Sequence, residues 1–536
     1  MLSLAVMHVC LLPTEILLHI FTINIPNGYG WIPIISRAQL AVLARTCREF
    51  KGPALDILWE CISGFKPLIS CLPEGISNTD RRGRLTLQRP ILAGEWRLIH
   101  QYARRVHSFW VGSSELDMIE NHVMQAFMSA PISMSFFPNL RSLYWYDDRE
   151  HFFPLLRTFL GLTITSIRAD FLFSSPSFAQ SASFASLGSL CPSIQELTLC
   201  VGDSAESSDV ICKALSGLRE LSRFESRALG RREFLHLASL PSLKSLYFTT
   251  EMSGIHKMQS NSTPTIFPQL AEVHIIASSP SEVEHFFRSV RLPSCRSAKV
   301  DLYFDNICYN PLAEVLHNIL HIPDIIVSLS QCLSPALEIF CVEYEFDPEY
   351  VKEDIAGRSY VLGFDAVAPL LPFNRLKHLL LECICTSDIN DASFKTLVQS
   401  WPQLESLSFG GGTQSLVPPS MTSTALVHLI QHCPRLHWVQ ISFCAIPVDY
   451  DNDPFFFETV PNEKIIALSV GMSPIGDPYA VVNILLRLLP KLTYVNFLGW
   501  LDDHTPAPAP SPFEDLEDGW NAVNEILKAR NQRRLK

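Results

Sequence analysis

The 536-residue sequence has no Cys-x-x-Cys pair, although it carries 15 cysteines. The closest pair is Cys383-Ile384-Cys385. Scattered thiols of this kind argue for reduced, buried side chains in an intracellular protein, not a disulfide scaffold. No uninterrupted apolar run reaches the roughly 20 residues that a membrane-spanning helix needs. The apolar start, residues 1–12, lacks a basic leader and runs at once into Pro13 and Glu15, so it is not read as a signal peptide. A basic excess is also missing: the formal net charge is −12, which excludes wholesale nucleic-acid binding. Residues 1–110 are the exception, with 12 Lys/Arg against 7 Asp/Glu, a balance of +5.

Catalytic signatures are missing as well. There is no HExxH and no Rossmann fingerprint. Gly410-Gly411-Gly412 lacks the Lys-Ser/Thr of a phosphate loop and reads as a tight turn. Gly202-Asp203-Ser204 lacks the GxSxG context of a hydrolase elbow. His378, Cys383 and Cys385 around one strand do not make a closed zinc set. Arg81-Arg82-Gly83-Arg84 is a short basic patch, expected as a solvated loop in preference to a targeting or phosphate-binding element. No cofactor or metal is expected.

What the chain does have is apolar content, 47% of residues. That is ample to offset the entropy of ordering, so the chain is not a disordered one. The apolar residues also recur. A Leu-x-x-Leu-x-Leu pattern, often with Pro two residues ahead, reads PNLRSLYW at 138–145, PSIQELTL at 192–199 and PSLKSLYF at 241–248. It returns as PQLAEVHI at 268–275, PALEIFCV at 335–342, PQLESLSF at 402–409, PRLHWVQI at 434–441 and PKLTYVNF at 490–497. With weaker copies beginning at 106, 164, 218, 297, 376 and 465, fourteen copies have a mean step of about 29 residues, a leucine-rich-repeat period. The fourth and sixth positions of each copy share one strand face, so Leu143 and Trp145 point inward while Tyr144 and Tyr146 point out. Segments between copies, such as 425–433, show helical spacing. A single strand–helix unit cannot bury its apolar side, whereas stacked units bury a continuous core.

The expected fold is therefore α/β, a leucine-rich-repeat solenoid or horseshoe over 106–500. A linker with a helix precedes it at 63–105. A Pro-rich spacer and an amphipathic helix follow at 501–536. The steps 297–337 and 337–376 are long, so loops are expected near 304–325 and 344–370. The second of these is rich in acid, from Glu343 to Asp354, and suits a basic partner.

Residues 11–62 read differently, as a small all-helical module. Pro13 suits a first helical turn. Ile16, Leu17, Ile20 and Phe21 make one double row, and Leu40, Leu43, Ala44 and Cys47 a second stripe. Gly52-Pro53 is expected to restart the chain before a third stripe, Leu55, Leu58, Trp59 and Ile62.

The run Leu12-Pro13-x-Glu15-Ile16-Leu17-x-x-Ile20-Phe21, then Leu43-x-x-Thr46-Cys47-Arg48-x-Phe50, then Leu58-Trp59, resembles an F-box. With the repeats behind it, the chain resembles the F-box/leucine-rich-repeat proteins of mushroom-forming fungi. One departure is a longer gap between Leu12 and Thr46, contributed by Asn27–Ser36. The resemblance implies a non-enzymatic adaptor of an SCF-type ubiquitin ligase, working in the cytoplasm or nucleus. Its F-box would dock a Skp-type adaptor, and through it cullin, by means of Leu12, Pro13, Glu15, Ile16, Leu17, Ile20, Phe21, Leu43, Cys47, Phe50, Leu58 and Trp59. The repeats would hold a substrate protein. The outward strand residues Tyr144, Tyr146, Tyr247, Tyr303, Glu343, Trp438 and Tyr494 are the expected contacts, because large aromatics there have no duty in folding. The alternative expectation is a leucine-rich-repeat scaffold acting without a ligase. Neither a nucleic acid nor a membrane is expected as partner.

Overall fold

The computed structural model describes residues 12–22, 24–27, 30–33, 35–130, 135–170, 177–200, 205–227, 229–250, 263–303, 322–345, 361–381, 384–410, 419–445, 458–497 and 514–534. The chain divides into two compact units, Met1–Arg227 and Ala228–Lys536.

The first unit opens on helices Thr14–Phe21 (α1), Arg37–Thr46 (α2) and Arg48–Glu60 (α3). Ser36 starts α2 with a reciprocal cap: its Oγ accepts from Gln39 N at 3.3 Å, and Gln39 Oε1 accepts from Ser36 N at 2.7 Å. Two expectations are corrected here. The module is not all helical, because an antiparallel hairpin, Asn24–Asn27 (β1) and Gly30–Pro33 (β2), lies between α1 and α2. The hairpin overlaps the extra stretch Asn27–Ser36, which supplies its second strand. Nor does the chain restart at Gly52-Pro53. The break comes at Cys47, whose extended backbone separates α2 from α3, and α3 runs through Pro53. A proline in this position removes the bond to the Glu49 carbonyl and crowds that carbonyl, and Pro53 and Ala54 are packed inside. Leu17, Phe21, Leu40, Phe50 and Ala54 form the module's core, with the Phe21 and Phe50 rings edge to face at 5.7 Å.

No linker separates α3 from the sheet. Cys61–Ser63 (β3), a strand that no expected repeat anticipates, follows at once and pairs in parallel with Ser108–Gly112 (β4), the strand of the copy beginning at Val106. Ile62, expected on a helical stripe, is therefore a strand residue, and buried. The sheet continues through Ser142–Tyr146 (β5), Ser166–Asp170 (β6), Glu196–Cys200 (β7) and Arg223–Ser226 (β8), all parallel. Ile62, Phe109, Leu143, Ile167, Leu197 and Phe224 stand in register as one buried row. Behind them Phe65, Phe127, Phe136, Phe137 and Phe159 fill the space with mutually tilted rings.

The second unit repeats the plan with nine described parallel strands in its sheet: Ser245–Thr249 (β9), Glu272–Ala277 (β10), Ser297–Tyr303 (β11), Ile339–Glu345 (β12), His378–Leu381 (β13), Ser406–Phe409 (β14), Trp438–Ile441 (β15), Ala467–Ser469 (β16) and Tyr494–Asn496 (β17). Their inward row reads Leu246, Val273, Ala298, Phe340, Leu379, Leu407, Val439, Leu468 and Val495, every one at most 1% exposed. Small Ala298 sits beside large Phe340 in this row.

Two repeat positions shift. The copy expected from 218 is built on Leu221, and the copy expected from 297 on Cys295, both fully buried, each two residues ahead of its strand like the other copies. The shifts arise where a second apolar residue, Leu218, lies just ahead or a cysteine stands in for leucine. Of the two expected loops, 322–325 and 364–367 are helical, within Ile322–Cys332 and Phe364–Val367. The core of each loop, 304–321 and 346–360, lies outside the described residues.

The C-terminal helix Glu514–Arg534 (α4) closes the open edge of β17. Asn524 behaves as a substitute strand: its Oδ1 accepts from Val495 N at 2.8 Å and its Nδ2 donates to Val495 O at 2.9 Å. Trp520 is buried and donates to Ser473 O at 2.8 Å, while Val523 and Leu527 are fully covered. An exposed strand edge is a template for aggregation, and this helix covers it.

Two outcomes follow from this packing. Leu197→Ala, which empties a site 1% exposed, lowers unfolding free energy by about 2–5 kcal/mol, measurable by denaturant titration. Asn524→Ala removes both edge bonds, a loss of about 1–3 kcal/mol. Deleting 514–536 goes further and gives edge-to-edge association, read by light scattering; a chain that stays monodisperse would show that the edge needs no cover.

Candidate functional site

The module core decides which F-box residues remain available. Leu17, Phe21 and Phe50 point inward and are spent on folding; Leu12, Ile20, Leu43, Cys47 and Leu58 pack partly against them. Trp59 is half-buried, its ring 4.8 Å from that of Tyr102. Pro13 and Glu15 are exposed. Two large aliphatics stand out from the module, Ile16 at 45% and Val42 at 63% exposure. Val42 is a residue the helical stripes miss, because it belongs to the face of α2 opposite Leu40. The signal was present as an apolar residue out of phase with its stripe.

Arginines hold this module to the first strands. Arg37 Nη2 donates to the Leu58 carbonyl at 3.2 Å and also to the Cys61 carbonyl, satisfying groups that the end of α3 leaves open. Arg105 pairs with Asp56 and reaches the Gly52 carbonyl at 3.3 Å.

The outward faces of the strands differ between the units. In the first, Trp110 and Tyr144 stack at 3.8 Å and 12°, with the Tyr146 ring 6.0 Å from Trp110. Each ring of the stack covers one face of the other, and Trp110 remains 39% exposed. Beside them Arg168 lies 3.5 Å from Glu225 and Arg227 lies 3.6 Å from Asp170, each pair spanning two strands. Thr198 donates to Glu225 at 3.1 Å.

In the second unit Tyr247 meets the His274 ring edge to face at 4.5 Å, and His274 Nε2 is 2.6 Å from Asp301 Oδ2. Glu343 is exposed and stands next to Asp301 in register. His378 Nδ1 is 2.6 Å from Ser406 Oγ, and burial holds its imidazole below the usual range. Trp438 and Tyr494 are 37% and 49% exposed and share a row, with Ala467 between them. Tyr303 ends β11 in register with Glu345; its side chain lies outside the described residues, as do Glu382, Cys383, Gly202–Ser204 and the acidic segment 346–360.

The remaining chemistry is sparse. Among the described residues no group of three or more His, Cys, Asp or Glu is placed to hold a metal ion. None of the helices described is long and apolar enough to cross a membrane. None of the twelve described cysteines is in a disulfide, and burial pushes the thiols of Cys295, Cys332 and Cys433 up to about 12, which keeps them protonated and unreactive. Gly410 has φ +70°, and an added Cβ would come within 2.8 Å of the Ile384 carbonyl. The close approach of a neighbouring strand exit accounts for a glycine there.

No curated protein matches the chain. Solved structures similar to it include the Rad7 and Elc1 complex in yeast, at 12% identity over 74% of this chain and 88% of that chain, with a TM-score of 0.29. The TLR13–ssRNA13 complex matches at 12% identity over 75% and 58%, with a TM-score of 0.34. The leucine-rich repeat-containing protein LegL7 from Legionella pneumophila matches at 12% identity over 69% and 94%, with a TM-score of 0.27. Residues 9–63 match the family described as F-box-like. The chain thus carries an F-box-like domain at its helical N-terminal module, followed by leucine-rich strand–helix repeats.

Proposed function

We propose that this chain is the substrate-recognition adaptor of an SCF-type ubiquitin ligase. The F-box-like match at residues 9–63 carries the reading. On it, the exposed side of the helical module docks a Skp-type adaptor, which brings cullin, and the outward strand faces hold the substrate protein. The chain then needs no catalytic group of its own. It acts by raising the effective concentration of substrate near the ubiquitin donor, which can multiply a weak encounter without any new contact at the reacting atoms.

The split within the F-box residues sharpens the docking surface. Leu17 is 2% exposed and belongs to the module core, so changing it tests folding, not docking. Ile16 and Val42 are the apolar groups with area left to bury. Each buried aliphatic of this size contributes roughly 1.5–3 kcal/mol.

Ile16→Asp and Val42→Asp should therefore each weaken co-purification with a Skp-type adaptor by tenfold or more, on the order of 1.4 kcal/mol or above, with helix content unchanged by circular dichroism. Leu17→Asp should instead lose helix content. If both surface variants retain full adaptor binding, the docking face is elsewhere. If the unmodified chain binds no adaptor at all, the rival reading, a repeat scaffold outside any ligase, takes over.

A further inference from the structure

The last three strands of the second unit carry a trough on their outward face. Trp438 on β15 and Tyr494 on β17 are 37% and 49% exposed, and Ala467 of β16 stands between them in the same row. Two strand spacings put the bases of these two side chains about 9.6 Å apart. Ala467 is exposed and brings only a methyl group, so nothing from β16 fills the gap between the rings. Ile466, the residue before it, is 59% exposed. The first unit shows the closed alternative: Trp110 and Tyr144 on neighbouring strands stack at 3.8 Å, with no room between the rings.

The polar groups of this face are uncharged and unused. The next outward row on the same strands is Gln440, Ser469 and Asn496. None of these three, nor Trp438 or Tyr494, has a side-chain hydrogen bond or ion pair among the described residues. The indole N–H, the phenol O–H and two side-chain amides are therefore donors without acceptors. No outward position of the three strands is acidic or basic, so a charged segment finds no counter-charge among them. The area is small as well. Aromatic side chains present roughly 150–250 Å² each, so the exposed parts of Trp438 and Tyr494 offer about 100 Å² apiece. A folded partner or a second copy of the chain needs roughly 800 Å² per side. The face is therefore scaled to a short, uncharged segment.

We propose that this trough binds an uncharged proline-rich segment of the substrate protein in the polyproline II conformation, which rests on the reading that the outward strand faces hold the substrate. A polyproline II helix has three residues per turn and rises about 3.1 Å per residue, so residues i and i+3 stand about 9.3 Å apart on one side. That matches the separation of the two aromatics. An α-helix turns every 5.4 Å or so, and an extended strand repeats its face about every 6.6–6.8 Å. Polyproline II also makes no internal hydrogen bonds, so its carbonyls are open acceptors for the unused donors, whereas the carbonyls of a helix are already engaged. Its conformation is set in advance, so little ordering entropy is lost and a small contact area suffices. In the chain itself Pro506, Pro508, Pro510 and Pro512 alternate, with no two of them three apart, so this stretch lacks the spacing that the trough fits.

The test is calorimetric titration of the full chain with uncharged synthetic peptides. One is built on Pro-Pro-Ala repeats, which place proline at i and i+3. Controls of equal length use Ala-Pro repeats, where proline alternates, and Ser-Ser-Ala repeats, which lack it. The first peptide should bind at least about tenfold more tightly than either control, and its affinity should change by less than about twofold as salt rises, since no charge takes part. Trp438→Ala and Tyr494→Ala should each weaken it by about tenfold. Ala467→Leu should do the same by filling the space between two intact rings. All three positions are exposed, and circular dichroism checks that the variants stay folded. Equal binding of the three peptides overturns the proposal, as does an affinity unchanged in both aromatic variants. Binding that appears only after Pro506, Pro508, Pro510 and Pro512 are changed to serine gives the trough to the chain's own stretch, and self-association abolished by Trp438→Ala gives it to a second copy; either result overturns the partner segment. Adaptor co-purification on the same variants should stay unchanged. A chain that binds the peptide but no adaptor keeps this site and loses the ligase reading, and one that binds the adaptor but not the peptide does the reverse.

Discussion

The inward row of strand residues is the interaction on which everything else rests. In the second unit nine side chains from Leu246 to Val495 stand in register with almost no exposure. A parallel row of this kind has no internal terminus. Each strand buries its apolar face only against its neighbours, so the last strand on either side is unsatisfied in both hydrophobic and hydrogen-bonding terms. The chain spends its non-repetitive chemistry at these places. At β17 an amide side chain, Asn524, takes the N–H and C=O that a further strand would have taken, and Trp520 covers the apolar end. At β3 the preceding α3 enters the strand with no linker, and Arg37 takes up the carbonyls of Leu58 and Cys61. The helical module is thereby tied mechanically to the first strand. An adaptor held on that module would have a defined lever on the strands of its own unit.

Repeat period and strand parity were legible in the sequence because alternate residues must choose between apolar interior and solvent. Leu143, Leu197, Leu246, Leu407 and Val495 are all buried as their parity requires. What was not legible had specific causes. Cys295 replaces a leucine at a repeat position, and a cysteine packs as a small hydrophobe without announcing itself. Cys61–Ser63 is a strand of only three residues directly after a helix, too short to show a period of two against the helical stripe ending in Ile62. Pro53 reads as a breaker, yet its burial in the module offsets the lost hydrogen bond and the crowding of its ring against the Glu49 carbonyl. The hairpin between α1 and α2 reads as a loop because its strands, Asn24–Asn27 and Gly30–Pro33, are four residues each and contain prolines.

Inside the F-box-like module, spacing alone could not sort core from surface. A double row such as Ile16, Leu17, Ile20 and Phe21 is wider than the face one neighbouring helix can cover. Tertiary packing selects Leu17 and Phe21 for the interior, aided by the edge-to-face contact of Phe21 with Phe50, and leaves Ile16 outside. The same motif therefore mixes residues that preserve the fold with residues free to meet a partner. A variant's effect on binding is informative only after this division is made.

The outward strand positions obey a related logic. Inward residues fix the frame, so specificity can reside only in side chains that the frame does not consume. Trp110 and Tyr144 look equivalent to Trp438 and Tyr494 in sequence, but adjacent register brings the first pair into a 3.8 Å stack, each ring covering the other. The second pair sits two strands apart, about 9.6 Å at the usual strand spacing, with Ala467 between. Neither ring of that pair is satisfied by the other, and the small residue leaves room between them. Tyr247 and His274 lie between these extremes, already engaged with each other and with Asp301. Among the outward strand aromatics Tyr494, Trp110 and Trp438 are 49%, 39% and 37% exposed, so each keeps contact area to offer a partner protein, Trp110 with one face already taken by Tyr144.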